Sequence, residues 1–149
     1  MDLSNPALVD LAFLVGEWDV TLSNASFLPE PGQIVRGRLL VEPVEDGMLL
    51  AMRQSGDPSG PPLASWVIGR DASRPDYRVL YTDNRRVSRV YDMRLTGDQW
   101  RIWRDDPEFS QRFEATISVD LHTINGRWHK REPGGKWEHD FDLTYARRS

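Results

Sequence analysis

Apolar and polar residues alternate along most of this chain. From Glu17 onward, Trp18, Val20 and Leu22 fall on one side of an extended backbone and Glu17, Asp19 and Thr21 on the other, the period of a half-buried strand. The same pattern predicts strands over residues 17–27, 33–42, 47–54, 63–70, 76–82, 87–95, 99–105, 110–118, 122–131 and 136–146. Turn chemistry separates them: Pro29-Glu30-Pro31-Gly32, Glu45-Asp46-Gly47, the loop Ser55 to Pro62, Asp71 to Pro75, Gly97-Asp98 and Pro133-Gly134-Gly135. Ahead of the first strand, Ser4 or Asn5 followed by Pro6 reads as a cap and first helical residue. Leu8, Leu11 and Leu14 then share one face for two to three turns, and Gly16 ends the helix.

One short helix followed by ten strands predicts an all-β fold, an antiparallel up-and-down barrel in which closure removes the exposed edges; a two-sheet sandwich is the alternative. Asn125-Gly126 is itself a hairpin signal, and a turn there would leave nine strands. Trp18, two residues after the turning glycine, is placed to lie as a floor across the barrel mouth, a burial worth roughly 3 kcal/mol.

Two hairpins can be registered. A two-residue turn at Gly97-Asp98 sets Leu95 opposite Trp100, Met93 opposite Ile102 and Tyr91 opposite Arg104. The apolar members choose the inward side and carry Arg89, Tyr91 and Arg104 with them. In the last hairpin, Trp128 and Lys130 share a face with Trp137, His139, Phe141, Leu143 and Tyr145. That makes His139 an inward residue and turns His129 away from it, while Trp66 and Trp103 fall on the outer face and mark a candidate homodimer surface.

Composition narrows the function. At 149 residues the chain is read as a single domain, 1–149, of a size that buries about 68–70% of its unfolded surface. It has no Cys, which excludes disulfides, thiol catalysis, zinc–thiolate sites and iron–sulfur clusters. Residues 1–14 lack a basic start and a cleavage site, and no apolar run is long enough to span a bilayer, so a soluble, cytoplasmic protein without a membrane partner is expected. A net charge of -4 with interleaved signs argues against nucleic acid as a partner. The bases are 17 Arg against two Lys, explained by a GC-rich genome or by bidentate anion recognition.

The candidate chemistry is therefore sited in the interior. Arg89, Tyr91, Arg104 and Gln111 sit among apolar neighbours, so the cations must either pair with an acid, Asp83 or Asp106 being available, or meet an anionic ligand. His139 and Tyr145 complete the candidate ligand-binding set. His139 is read as a satisfied core histidine, or as a pocket ligand or acid–base group titrating near neutrality. No catalytic residue, metal site or resident cofactor is assigned: the three His do not converge, Asp105-Asp106-Pro107 reads as a turn, and nucleophile and phosphate-loop motifs are absent. These residues point to a binder of small hydrophobic or aromatic molecules with an anionic end. An enzyme using the same cavity for acid–base chemistry and a structural or protein-interaction barrel are the alternatives.

Gly16-Glu17-Trp18 opening the first strand, with Arg147 and Arg148 closing the last, resembles the calycin superfamily of lipocalins, fatty-acid-binding proteins and nitrobindins. In lipocalins an Arg near the end of the final strand packs on that Trp, which casts Arg147 or Arg148 in the role. The longer segments Phe13 to Trp18, Trp66 to Arg70, Trp100 to Arg104 and Trp137 to Phe141 look like a family of uncharacterised bacterial calycin-like proteins. The nitrobindin resemblance would imply ferric haem held by a His on the last strand. Here Val20 and Leu22 stand where that family has further glycines, and alignment on Thr144-Tyr145 brings Asp140 to the haem-ligand position.

Overall fold

The structure, a computed structural model, describes residues 2–30, 32–56 and 63–148. The predicted turn residue Pro31 and positions 57–62 of the predicted loop lie outside the described residues. The described residues form ten antiparallel strands closed into a barrel: β1 (Gly16–Ser23), β2 (Val35–Val44), β3 (Leu49–Gly56), β4 (Ala64–Gly69), β5 (Tyr77–Asp83), β6 (Ser88–Thr96), β7 (Gln99–Arg104), β8 (Ser110–Ile117), β9 (Thr123–Arg131) and β10 (Glu138–Arg147). Each strand pairs with its neighbours in sequence, and β1 closes on β10 from Trp18 opposite Arg147 to Ser23 opposite Asp142. The up-and-down barrel is confirmed and the sandwich set aside. No helix among the described residues is long and apolar enough to cross a membrane.

The predicted helix is present as a 3₁₀ helix over Pro6–Leu14. Its apolar residues recur every third position, so three residues per turn align Leu8, Leu11 and Leu14, and all three are buried at the barrel's end. Asn5 caps it by accepting the Ala7 N–H at 2.9 Å. The carbonyl of Gly47, in the β2–β3 turn, accepts from the N–H groups of Ser4 and Asn5 at 3.0 Å each, strapping the segment to the sheet.

This end is sealed by Trp18, which is 0% exposed and donates its indole N–H to Leu14 at 2.8 Å. The Arg147 guanidinium lies 4.3 Å from the centre of the Trp18 ring and donates to the carbonyls of Val15, at 3.0 Å, and Phe13. The position before Glu17 must therefore be small as well as left-handed. Gly16 has φ 134°, and a Cβ there would stand 2.9 Å from the Arg147 guanidinium.

The structure places Asn125-Gly126 within β9 and the turn at Ser118 to His122, so there are ten strands and not nine. A Cβ at Gly126 would meet the Phe113 ring at 2.5 Å, so the glycine makes room for an aromatic on the next strand.

Candidate functional site

The helix closes one end of the barrel, and the turns at the other end surround a cavity of about 910 Å³. Its floor and walls come from inward positions of several strands. Trp66 on β4 pairs with Tyr81 on β5, and Tyr81 pairs with Arg89 on β6, so one row of three carries two aromatics and a cation inward. The Trp66 ring lies 4.5 Å from Tyr81, 5.4 Å from Tyr91 and 6.2 Å from Trp128 on the far side of the barrel. Trp128 in turn stacks 5.1 Å from Phe113. Trp66, Tyr81, Tyr91 and Trp128 line the cavity, which continues past them to Leu22, Leu143 and Tyr145.

Strand parity predicts an outward Trp66, and that reading is corrected: Trp66 lines the cavity, so the predicted outer patch of Trp66 and Trp103 is not formed. Trp103 does face out, opposite Asp92 and Arg112.

The registered β6–β7 hairpin holds, with Met93 opposite Ile102 and Leu95 opposite Trp100. Arg89, Tyr91 and Gln111 come together on the cavity wall. Gln111 Oε1 accepts from the Tyr91 hydroxyl and from Arg89 at 3.4 Å, and the Arg89 guanidinium lies 5.0 Å from the centre of the Phe109 ring. Arg104 is elsewhere. It donates to the Phe109 carbonyl at 3.1 Å and approaches Asp106 at 3.4 Å, securing the β7–β8 turn instead of lining the cavity. Asp83 is likewise engaged: it accepts from the Tyr81 hydroxyl at 2.7 Å and pairs with Arg85 at 2.7 Å. Among the described residues, Arg89 thus has no carboxylate partner.

The last hairpin departs most from expectation. His139 pairs with His129 and Phe141 with Trp128, leaving Asp140 as the extra residue of a β-bulge. The bulge resets the parity of everything before it. His139 is exposed and bonds Asp142 at 2.7 Å, its ring 5.7 Å from that of His129, so the two imidazoles are neighbours outside the barrel. Trp137 is outside too, with Arg112 at 3.9 Å and Arg131 at 4.8 Å from its ring centre. Asp140, 8% exposed, lines the cavity in place of His139 and approaches Lys130 at 3.9 Å. Ser26 donates its N–H to the Asp140 carbonyl at 3.0 Å, seating the β1–β2 loop on the bulge, and Phe27 packs edge-on against Phe141 at 5.7 Å.

Tyr145 stands where expected, 7% exposed at the base of the cavity. Tyr81 and Arg85 line the wall without having been singled out in the sequence; Lys130, read there only as sharing the inward face of Trp128, and Asp140, named only for the haem-ligand position, line it too. Tyr81 was legible in principle, because it pairs with Arg89 once the β5–β6 turn is placed. That turn runs Asp83 N–H to Val87 carbonyl at 3.1 Å with Arg86 at φ 68°, a length and conformation the residue types do not announce.

Burial pushes the hydroxyls of Tyr81, Tyr91 and Tyr145 up from the usual tyrosine range. Burial also acts to raise Asp83, but hydrogen bonds from Arg85, Tyr81 and two backbone N–H groups outweigh it and bring the carboxyl to about 2. No group of three or more metal-ligating side chains is found among the described residues. Among the described residues no imidazole lines the cavity, so the His ligand that a haem reading requires has no counterpart there.

No protein-family model matches the chain, and no curated protein matches it. Among solved structures, the crystal structure of Rv2717c from M. tuberculosis superposes on 99% of this chain and 100% of its own at a TM-score of 0.67 and 15% sequence identity, a likeness of fold: the chain is a closed ten-stranded barrel of that architecture.

Proposed function

We propose that this protein binds a small molecule in the barrel, holding a flat apolar body against Trp66, Tyr91 and Trp128 and an anionic end at Arg89. The observation that carries the reading is the state of Arg89: a half-buried guanidinium on the wall of an aromatic cavity, touching an amide oxygen and a ring but no carboxylate among the described residues. A cation so placed loses hydration without gaining a counter-ion, and a ligand carboxylate supplies one with charge-assisted hydrogen bonds. The cavity's volume is that of an ordinary small-ligand site.

Aromatic and fatty acids, each beside its methyl ester, test this by thermal shift and by quenching of tryptophan fluorescence. Acids at a hundredfold excess over their Kd stabilise by about 2.7 kcal/mol. Esters bind at least tenfold more weakly, and Arg89→Gln erases the difference. Equal response to acid and ester, or silence across the whole set, overturns the reading. Acid–base catalysis in the same cavity has less support, because the shifts resolved for its tyrosines move Tyr81, Tyr91 and Tyr145 away from neutrality.

A further inference from the structure

Tyr145 differs from the other two tyrosines of the cavity. Tyr81 donates its hydroxyl to Asp83 and Tyr91 to Gln111, whereas the Tyr145 hydroxyl makes no hydrogen bond among the described residues. It sits 7% exposed on the cavity's base, and its hydroxyl is open to the cavity rather than sealed in the packing, so an entering molecule can reach it. The Trp100 ring lies 6.3 Å away, and its indole N–H is buried with no partner either. Trp100 does not line the cavity, so the hydrogen-bonding capacity at its base that no described residue uses is that of the Tyr145 hydroxyl.

We infer that the ligand is polar at both ends: a rod-shaped carboxylate whose far tip carries a neutral oxygen, a hydroxyl or carbonyl, received by Tyr145. This rests on the binding reading above and specifies its ligand class. The orientation follows from the charges. Around Tyr145 the cavity offers Leu22 and Leu143 but no cation, so a carboxylate buried there would be unpaired, while Arg89 meets one at the mouth. The length follows from register. Gln111, which Arg89 touches, pairs with Lys130, two residues above Trp128 and its partner Phe141. Tyr145 lies four residues further down β10, six residues in all below the Gln111 level: about 20 Å along the strands, which their tilt shortens to about 15 Å along the barrel axis. A ligand of two linked aromatic rings spans that distance and lies against the Trp66 and Trp128 rings on the way.

Para-phenylbenzoate and its counterpart with a hydroxyl at the far para position form a matched pair, and their Kd values are measured by tryptophan fluorescence. The wild-type protein binds the hydroxylated acid about fivefold tighter or more, the yield of one neutral hydrogen bond of about 1 kcal/mol. Tyr145→Phe removes that preference and leaves the affinity for para-phenylbenzoate within twofold. The unliganded variant melts no lower than wild type, because the deleted hydroxyl had no partner. Arg89→Gln weakens both acids alike. Equal affinities in the wild type, or a preference that survives in Tyr145→Phe, overturns the two-ended ligand while leaving the Arg89 site standing. Failure of both acids to bind removes the carboxylate site and this inference together.

Discussion

Trp66 and Trp128 meet across the lumen, their ring centres 6.2 Å apart, although they come from strands β4 and β9 on opposite sides of the barrel. The contact narrows the cavity without closing it, since the lining continues past the two rings to Leu22, Leu143 and Tyr145. Trp66→Ala widens the chamber at a stability loss of about 2 kcal/mol, below the usual cost of truncating a fully buried tryptophan because this ring is only half-buried. Urea denaturation measures the loss. An unchanged midpoint would show that the ring contributes no packing.

The Arg147–Trp18 contact makes a second prediction. Arg147 combines a ring contact with donation to two carbonyls, a geometry that suits a planar fork and not an ammonium. Arg147→Ala lowers stability by about 2 kcal/mol, and Arg147→Lys recovers less than half of it. Full recovery by lysine would reduce the role to charge alone.

Gly126→Ala tests the position of the β8–β9 turn. With the glycine inside β9 and facing Phe113, an added methyl forces the ring to move, at a cost of about 1–3 kcal/mol. A hairpin turn at Asn125-Gly126 would leave that methyl in solvent, so a variant as stable as wild type contradicts the strand assignment.

Stability depends on pH at both extremes. Asp83 titrates at about 2 in the fold, below its unfolded value of 3.8, so the stabilisation it contributes is complete above pH 4 and drains away as pH falls toward 2. Asp83→Asn flattens that acid limb. Tyr77, Tyr81, Tyr91 and Tyr145 are all raised above 10, so the unfolded chain ionises first and stability declines as pH climbs through 10. Tyrosinate absorbance should appear together with unfolding. A smooth titration of all four tyrosines in folded protein at pH 10 would refute it.

Much of the fold was legible because its determinants are local. All ten strands follow from alternation broken by Pro, Gly, Asn and Asp, and the Gly97-Asp98 turn placed Met93 opposite Ile102 by counting. Parity failed where one residue intervened unseen. The bulge at Asp140 has no marker in Glu138-His139-Asp140-Phe141, yet it exchanges His139 for Asp140 at the cavity wall. Trp66 was misplaced because the preceding loop gives no count from β3 into β4; only the pairing of Met52 with Trp66 shows the face. At Asn125-Gly126 a turn-forming dipeptide was overridden by the space Phe113 requires. Arg89, Tyr91, Gln111 and Tyr145 reached the cavity as read, and Arg104 did not because a nearby carbonyl and Asp106 claim it.

The clamp formed by Trp18 and Arg147 lies at the opposite extremity from the turns after Ser23, Asp83 and Arg104 that border the chamber. Rigidity and recognition therefore draw on separate sets of residues. A library that diversifies those three turns samples new ligand preferences on a scaffold whose cohesion is anchored elsewhere, so drift in selectivity need not erode foldedness.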